Sequence, residues 1–398
     1  PDPAAAAARV YVAETEIAAI HWPLEDTRDP MTTLKPVAFA DLRAAQPAFR
    51  WEDFFSALGL EPVADVVLRQ DTYFEGLDGL LDALPMDTWR LYLAFHVLDD
   101  FAPYLSRDFA AAHFAFHKTA LQGITVTTPR EREAFNVVVP AFGDMIGRRY
   151  AAAHFDTSVR APLLAMVENL QRAFFARLQK NPWMSEETRR RAELKLEKLS
   201  FKIGFPGKSV DYGPLQLDPR DLAGNLLAVR RFAFDREAAA LGKPRDRDEW
   251  PFPPIAVNAF YDPAANAIYL PAALLQPPLF EAAADPAANY GALGAILGHE
   301  IIHAFDDQGR KFDGEGNLAN WWTPEDERKF EEEADKLADF YSAFELFPGF
   351  AVNGRQTLGE NIGDLGGLSL ALEAYRISLN GLTLPRIAGF SGEERFFI

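Results

Sequence analysis

The sequence predicts a mainly α-helical fold with a small β component, arranged as two lobes, residues 1–230 and residues 231–398. Three observations carry this expectation. Apolar side chains recur every three or four positions in the first part of the chain, the texture turns proline-rich near Asp248, and two helical stretches follow a short extended run. With 398 residues, 48% hydrophobic and 25% charged, the chain is long enough for two cores.

The first lobe reads as amphipathic helices. Leu163, Val167, Leu170, Phe174 and Leu178 fall on one face and are expected to be buried. A helix is expected to start at Ser185, whose hydroxyl can cap free backbone N–H groups, with Glu186 and Glu187 complementing the helix dipole. His113 and His117 are four residues apart, but no acid lies between them and Phe114 and Phe116 flank them, so they read as packing residues. After Pro251, Pro253 and Pro254, the segments 258–261 and 267–270 fit two short strands joined by a turn at Asp262-Pro263. The two following helices are expected from Asn289 to Phe305 and from Leu358 through Tyr375. In the first of these, Gly291, Gly294 and Gly298 lie near one face and permit close approach of another backbone.

Composition narrows the chemistry. There is no cysteine, so disulfides, thiolate metal sites and cysteine nucleophiles are excluded, and any metal must be held by His, Asp or Glu. The formal charge of −18 argues against a nucleic-acid partner, which would call for a basic face. No stretch approaches the ~20 apolar residues of a membrane span, and the opening Pro1-Asp2-Pro3 lacks the basic start of a signal peptide.

The strongest local signal is His299-Glu300-Ile301-Ile302-His303. On a helix, residues four apart share a face, so both imidazoles can grip one zinc ion, with Glu300 beside the ion rather than on it. Such an ion acidifies water, and a carboxylate in Glu300's position can take the proton as the water attacks a carbonyl. No histidine follows His303, so a downstream third ligand must be a carboxylate. Glu360 is the candidate, and Asp364, one turn further along, is placed to orient a zinc histidine. Gly363, Gly366 and Gly367 suit a helix packed closely on the His299 helix. Asp306 and Asp307 read first as acids ending a helix ahead of Gly309, with support of a histidine as the alternative.

These motifs, together with NAFY at 258–261, LPAALLQPPLF at 270–280 and FDDQGRKFDGEGNL at 305–318, resemble the neprilysin-like zinc endopeptidases, particularly bacterial members. The resemblance implies a thermolysin-like zinc metallopeptidase lobe joined to a helical lobe that covers the active site. It implies one zinc per chain on His299, His303 and Glu360, with Glu300 as general base and Asp364 supporting a ligand. Asn258 and Ala259 would bind the backbone of short peptide substrates, in an extracytoplasmic (periplasmic or secreted) setting. Gly363 departs from the family, which usually carries alanine there. Relatives also extend beyond both ends of the matching segment, and their C-terminal part supplies a histidine and an arginine that stabilise the tetrahedral intermediate. A second expectation therefore stands beside the endopeptidase: a catalytically incomplete zinc-containing peptide-binding protein, or one segment of a processed peptidase whose partner is the missing C-terminal segment.

Overall fold

The computed structural model describes residues 2–398. Its first helix, α1 (Pro3–Ile20), is capped by the Asp2 carboxylate, which accepts from the Ala5 N–H, and it buries Val10, Ala13 and Ile17. It packs on α2 (Met86–Phe101), to which it is tied by Glu14 and His96 at 2.6 Å. A short helix, α3 (Arg107–His113), runs straight into a π-helical segment, Phe114–Ala120. The first half is not wholly helical. Lys35–Ala38 (β1) and Asp65–Leu68 (β2) pair antiparallel, which the helical periodicity around them did not announce.

Helix α4 (Arg130–His154) contains Pro140 and leaves helical geometry at Phe142. Proline lacks an N–H and its ring crowds the preceding turn, so a kink is expected there. The division between two compact units falls at the same place. One unit comprises Pro1–Ala141 and Asp211–Arg245, the other Phe142–Val210 and Asp246–Ile398. The sequence predicts a single boundary at 230. The units are instead interleaved, because strand pairing and core contacts gather segments remote in sequence.

In the second unit α5 (Arg160–Lys180) buries Leu163, Val167, Leu170, Phe174 and Leu178, the stripe expected from spacing. The next helix, α6 (Glu186–Lys198), is capped by Ser185, which accepts from the Thr188 N–H at 3.3 Å. The three-stranded sheet has Ala267–Pro271 (β5) at its centre, fully buried. Phe260–Asp262 (β4) pairs antiparallel on one side and Ser200–Gly204 (β3) parallel on the other. The hairpin was legible; β3 was not, since its partner lies more than sixty residues downstream.

The expected helix from Asn289 to Phe305 begins with a helical turn, passes through a π-helical stretch, Tyr290–Gly294, and ends as α7 (Ala295–His303). Then come α8 (Pro324–Ser342) and α9 (Leu358–Ser378). Helix α9 packs on both α7 and α5. At the α7–α9 crossing Gly298 and Gly367 face each other so closely that a Cβ on Gly298 would lie 2.5 Å from the Gly367 carbonyl oxygen.

The start of α8 joins the cap of α6 through Asp326, which is buried. Its carboxylate accepts from the Ser185 N–H at 3.0 Å, from the Ser185 hydroxyl, and from the Thr323 hydroxyl at 2.8 Å. Burial alone would raise this carboxyl, but the hydrogen bonds from Ser185, Thr188 and Thr323 outweigh it and hold the group at about 2. A carboxyl depressed on folding stabilises the native state above its unfolded pKa, and that stability is lost as pH falls through the folded value. Asp326 should thus contribute roughly 2 kcal/mol at neutral pH. In urea unfolding, Asp326→Asn is expected to be less stable than wild type by about that amount at pH 6, with the gap shrinking steadily as pH falls from about 4 towards 2. A gap of constant size would refute the assignment.

Candidate metal centre

Residues four apart on α7 turn His299 and His303 toward one side, with ring centroids 4.3 Å apart and planes at 88°. From α9, Glu360 approaches both: its Oε2 lies 3.3 Å from His299 Nε2 and 3.8 Å from His303 Nε2. One ligand atom from each of the three lies within 4.8 Å of the others. The outer nitrogens face Glu360 because each inner nitrogen is engaged elsewhere. His299 Nδ1–H donates to Asp364 at 2.9 Å, and His303 Nδ1–H to Asp306 at 2.7 Å. These bonds select the tautomer that leaves both Nε2 lone pairs available to a cation. Two imidazoles and a carboxylate converging this way suit zinc with an open coordination position.

The electrostatics follow from burial and neighbours. Glu300 is buried, which pushes its carboxyl up, while His303, His299 and the Tyr261 backbone N–H pull the other way without cancelling the rise. Burial disfavours the charged form of His303, but its hydrogen bond to Asp306 and the charges of Asp306, Glu300 and Glu360 prevail and raise it. Glu360 and Asp364 are far more open, with side chains 71% and 75% exposed.

Beside His299 lies a cavity of about 620 Å³. Asn258, Ala259, His299, Glu300 and Asp364 contribute to its lining, with an apolar wall that includes Leu274 and Ile296. The second unit thus brings Asn258, Ala259, Glu300 and Asp364 to the same place as the cluster of His299, His303 and Glu360.

Two residues were underrated or missed. Asp306 reads in sequence as the acid after a helix. In the structure it is buried and grips His303 with one oxygen, while the other accepts from the N–H groups of Gln308 and Gly309 at 2.8 and 2.7 Å. Lys195 carried no signal beyond a basic residue in an amphipathic helix. It is fully buried and donates to the carbonyls of Gly309 at 2.7 Å and Phe312 at 2.6 Å, anchoring the loop that presents Asp306. Burial drives its amine down to about 7 against the charges of Asp306 and Asp313. Asp306→Asn should keep the fold yet weaken zinc binding by about 10- to 100-fold, the usual cost of losing a carboxylate behind a ligating histidine. Competition with a chromogenic chelator measures this, and unchanged affinity would remove Asp306 from the site.

Two family models, both described as peptidase family M13, match residues 1–206 and 258–398. The chain is 32% identical over 378 residues to a neutral endopeptidase of Lactobacillus helveticus, covering 92% of this chain and 58% of that protein. It is 30% identical over 402 residues to human endothelin-converting enzyme 1, covering 97% of this chain and 52% of that protein. Among solved structures, the zinc metalloprotease Zmp1 of Mycobacterium tuberculosis in complex with an inhibitor superposes with a TM-score of 0.96 at 39% identity, over 100% of this chain and 61% of that one. PepO from Lactobacillus rhamnosis gives 0.86 at 28% identity, over 100% of this chain and 62% of that one. The chain thus spans between about half and three fifths of the length of these relatives.

Proposed function

The chain belongs to peptidase family M13, and on that premise we propose that it is a zinc-dependent endopeptidase acting on short peptides, with one zinc on His299, His303 and Glu360. The observation that carries this reading is the convergence of both Nε2 atoms on Glu360 while each Nδ1 is held by an aspartate. Zinc bound there supplies Lewis-acid polarisation of the scissile carbonyl and acidifies the attacking water.

The chain's own residues do the rest. Glu300 lines the same cavity as His299 and takes the water proton, then returns it to the departing amine. Its burial raises the carboxyl's affinity for a proton, which favours taking one from the water. Asp364 and Asp306 keep the two rings from turning. Asn258, whose side chain offers an amide donor and acceptor, and the backbone of Ala259 hold the peptide main chain along the cavity. The apolar wall formed by residues such as Leu274 and Ile296 accepts a hydrophobic substrate side chain. Kinship also supports an extracytoplasmic location; no helix among the described residues is long and apolar enough to cross a membrane.

The exposure of Glu360 and Asp364 favours a second reading, a zinc-containing peptide-binding protein or segment without turnover of its own. Hydrolysis of a quenched short-peptide library, with zinc content measured before and after chelation, separates the two. Stoichiometric zinc with chelator-sensitive cleavage is the expected result. Zinc and peptide binding without cleavage would sink the endopeptidase reading for this chain and leave the second.

A further inference from the structure

The first unit contains a second convergence of imidazoles and a carboxylate. Asp99 lies in the last turn of α2, and the chain then reverses through Ala102–Tyr104 into α3 and the π-helical segment. That return brings His113 and His117 back to Asp99. The two rings are 4.2 Å apart, tilted by 32°. His117 Nε2 lies 3.0 Å from Asp99 Oδ1 and 2.9 Å from Oδ2. One ligand atom from each of the three falls within 4.8 Å of the others, as at His299, His303 and Glu360, and these are the two such groups among the described residues.

Three features distinguish this cluster from a surface ion pair. The carboxylate faces the outer nitrogen of His117, the one that commonly ligates metals, and both oxygens are nearly equidistant from it. At His299 and His303 the aspartates instead take the inner nitrogen through one oxygen. The side chains are also partly withdrawn from water, 31% exposed for His117 and 25% for Asp99, which strengthens charge interactions. Finally, the neighbouring acid, Asp100, is engaged by Arg230. The π-helical backbone that follows His113 is a geometry found often at functional positions.

We propose that Asp99, His113 and His117 form a second divalent metal site that takes zinc, or a similar late first-row ion, and pins the π-helical segment to the end of α2. Two imidazole nitrogens and one carboxylate oxygen select such ions over calcium or magnesium, which call for more oxygen ligands. Turning the two tilted rings toward a common point completes the set. The proposal is independent of the peptidase reading and raises the expected zinc content of the chain from one ion to two.

The test is zinc stoichiometry by equilibrium dialysis and elemental analysis on the full chain. Wild type should hold two equivalents. His299→Ala/His303→Ala should retain one, melt at higher temperature when zinc is added, and show cobalt(II) ligand-field bands on substitution. Adding His117→Gln should abolish all three signals. Should the double-alanine chain fail to fold, Asp99→Asn in the otherwise intact protein serves instead, with stoichiometry expected to fall from two to one while peptide cleavage or peptide binding is kept. A single equivalent in wild type, or a second equivalent that survives both Asp99→Asn and His117→Gln, would overturn the proposal.

Discussion

Glu300→Gln is expected to lower kcat/KM for peptide hydrolysis by about two to four powers of ten, the usual contribution of a positioned general base, while zinc content stays at the wild-type level. The substitution is nearly isosteric, and the cluster of donors formed by His299, His303 and Glu360 does not include residue 300, so the metal should still be held. What is lost is the capacity to accept a proton: a neutral amide remains in the buried position beside the cavity where a carboxylate stood. Initial rates on fluorogenic peptides, paired with elemental analysis of the same samples, check both halves. A variant with wild-type turnover would remove Glu300 from the mechanism. One that sheds zinc as well would recast it as part of the metal shell.

Gly367→Ala should be strongly destabilising. A Cβ there would lie against the His299 backbone nitrogen, 2.7 Å from its Cα and 2.8 Å from the carbonyl carbon of Gly298. Those are backbone atoms of α7 and cannot rotate away, so the two helices must part. Overpacking of this kind costs about 1–3 kcal/mol or more, which exceeds the roughly 1 kcal/mol that alanine gains over glycine in a helix. Parting α7 from α9 also draws Glu360 away from the imidazoles, so zinc affinity should fall with stability.

Gly363→Ala is the informative control. Its Cβ would meet the His299 ring, 2.8 Å from Cε1 and Nδ1, and a ring can tilt. Its stability should change little, with any cost confined to zinc binding. Thermal melts of both variants, with and without zinc, make the comparison, and equal stability would show that the Gly298–Gly367 crossing has slack.

What could be read without the structure was what is encoded locally. A four-residue spacing places His299 and His303 on one face whatever surrounds them, and the apolar stripe of α5 declares its buried side the same way. That a downstream third ligand must be a carboxylate followed by exclusion, since no histidine remains after His303, with Glu360 the candidate and Asp364 one turn further along. The hairpin of β4 and β5 announced itself through a turn flanked by extended residues.

Tertiary structure decided the rest, and in each instance the deciding partner is distant along the chain. The parallel strand β3 exists because Ala267–Pro271 lies beside it, and the units interleave along the chain because the second joins Phe142–Val210 to Asp246–Ile398 across the intervening Asp211–Arg245. Asp306 became a partner of His303 rather than a solvated helix end because Lys195, more than a hundred residues earlier, anchors the loop that carries it. His113 and His117 read as packing residues until the reversal after α2 brought Asp99 to them. By itself the sequence determined the helical character of the chain, the identity of the α7 donors and the absence of thiolate chemistry, because these rest on residue type and on periods of a few residues. Which carboxylates face which imidazoles was left to the fold, because a side chain's electrostatic partner is set by proximity in space, which local spacing does not encode.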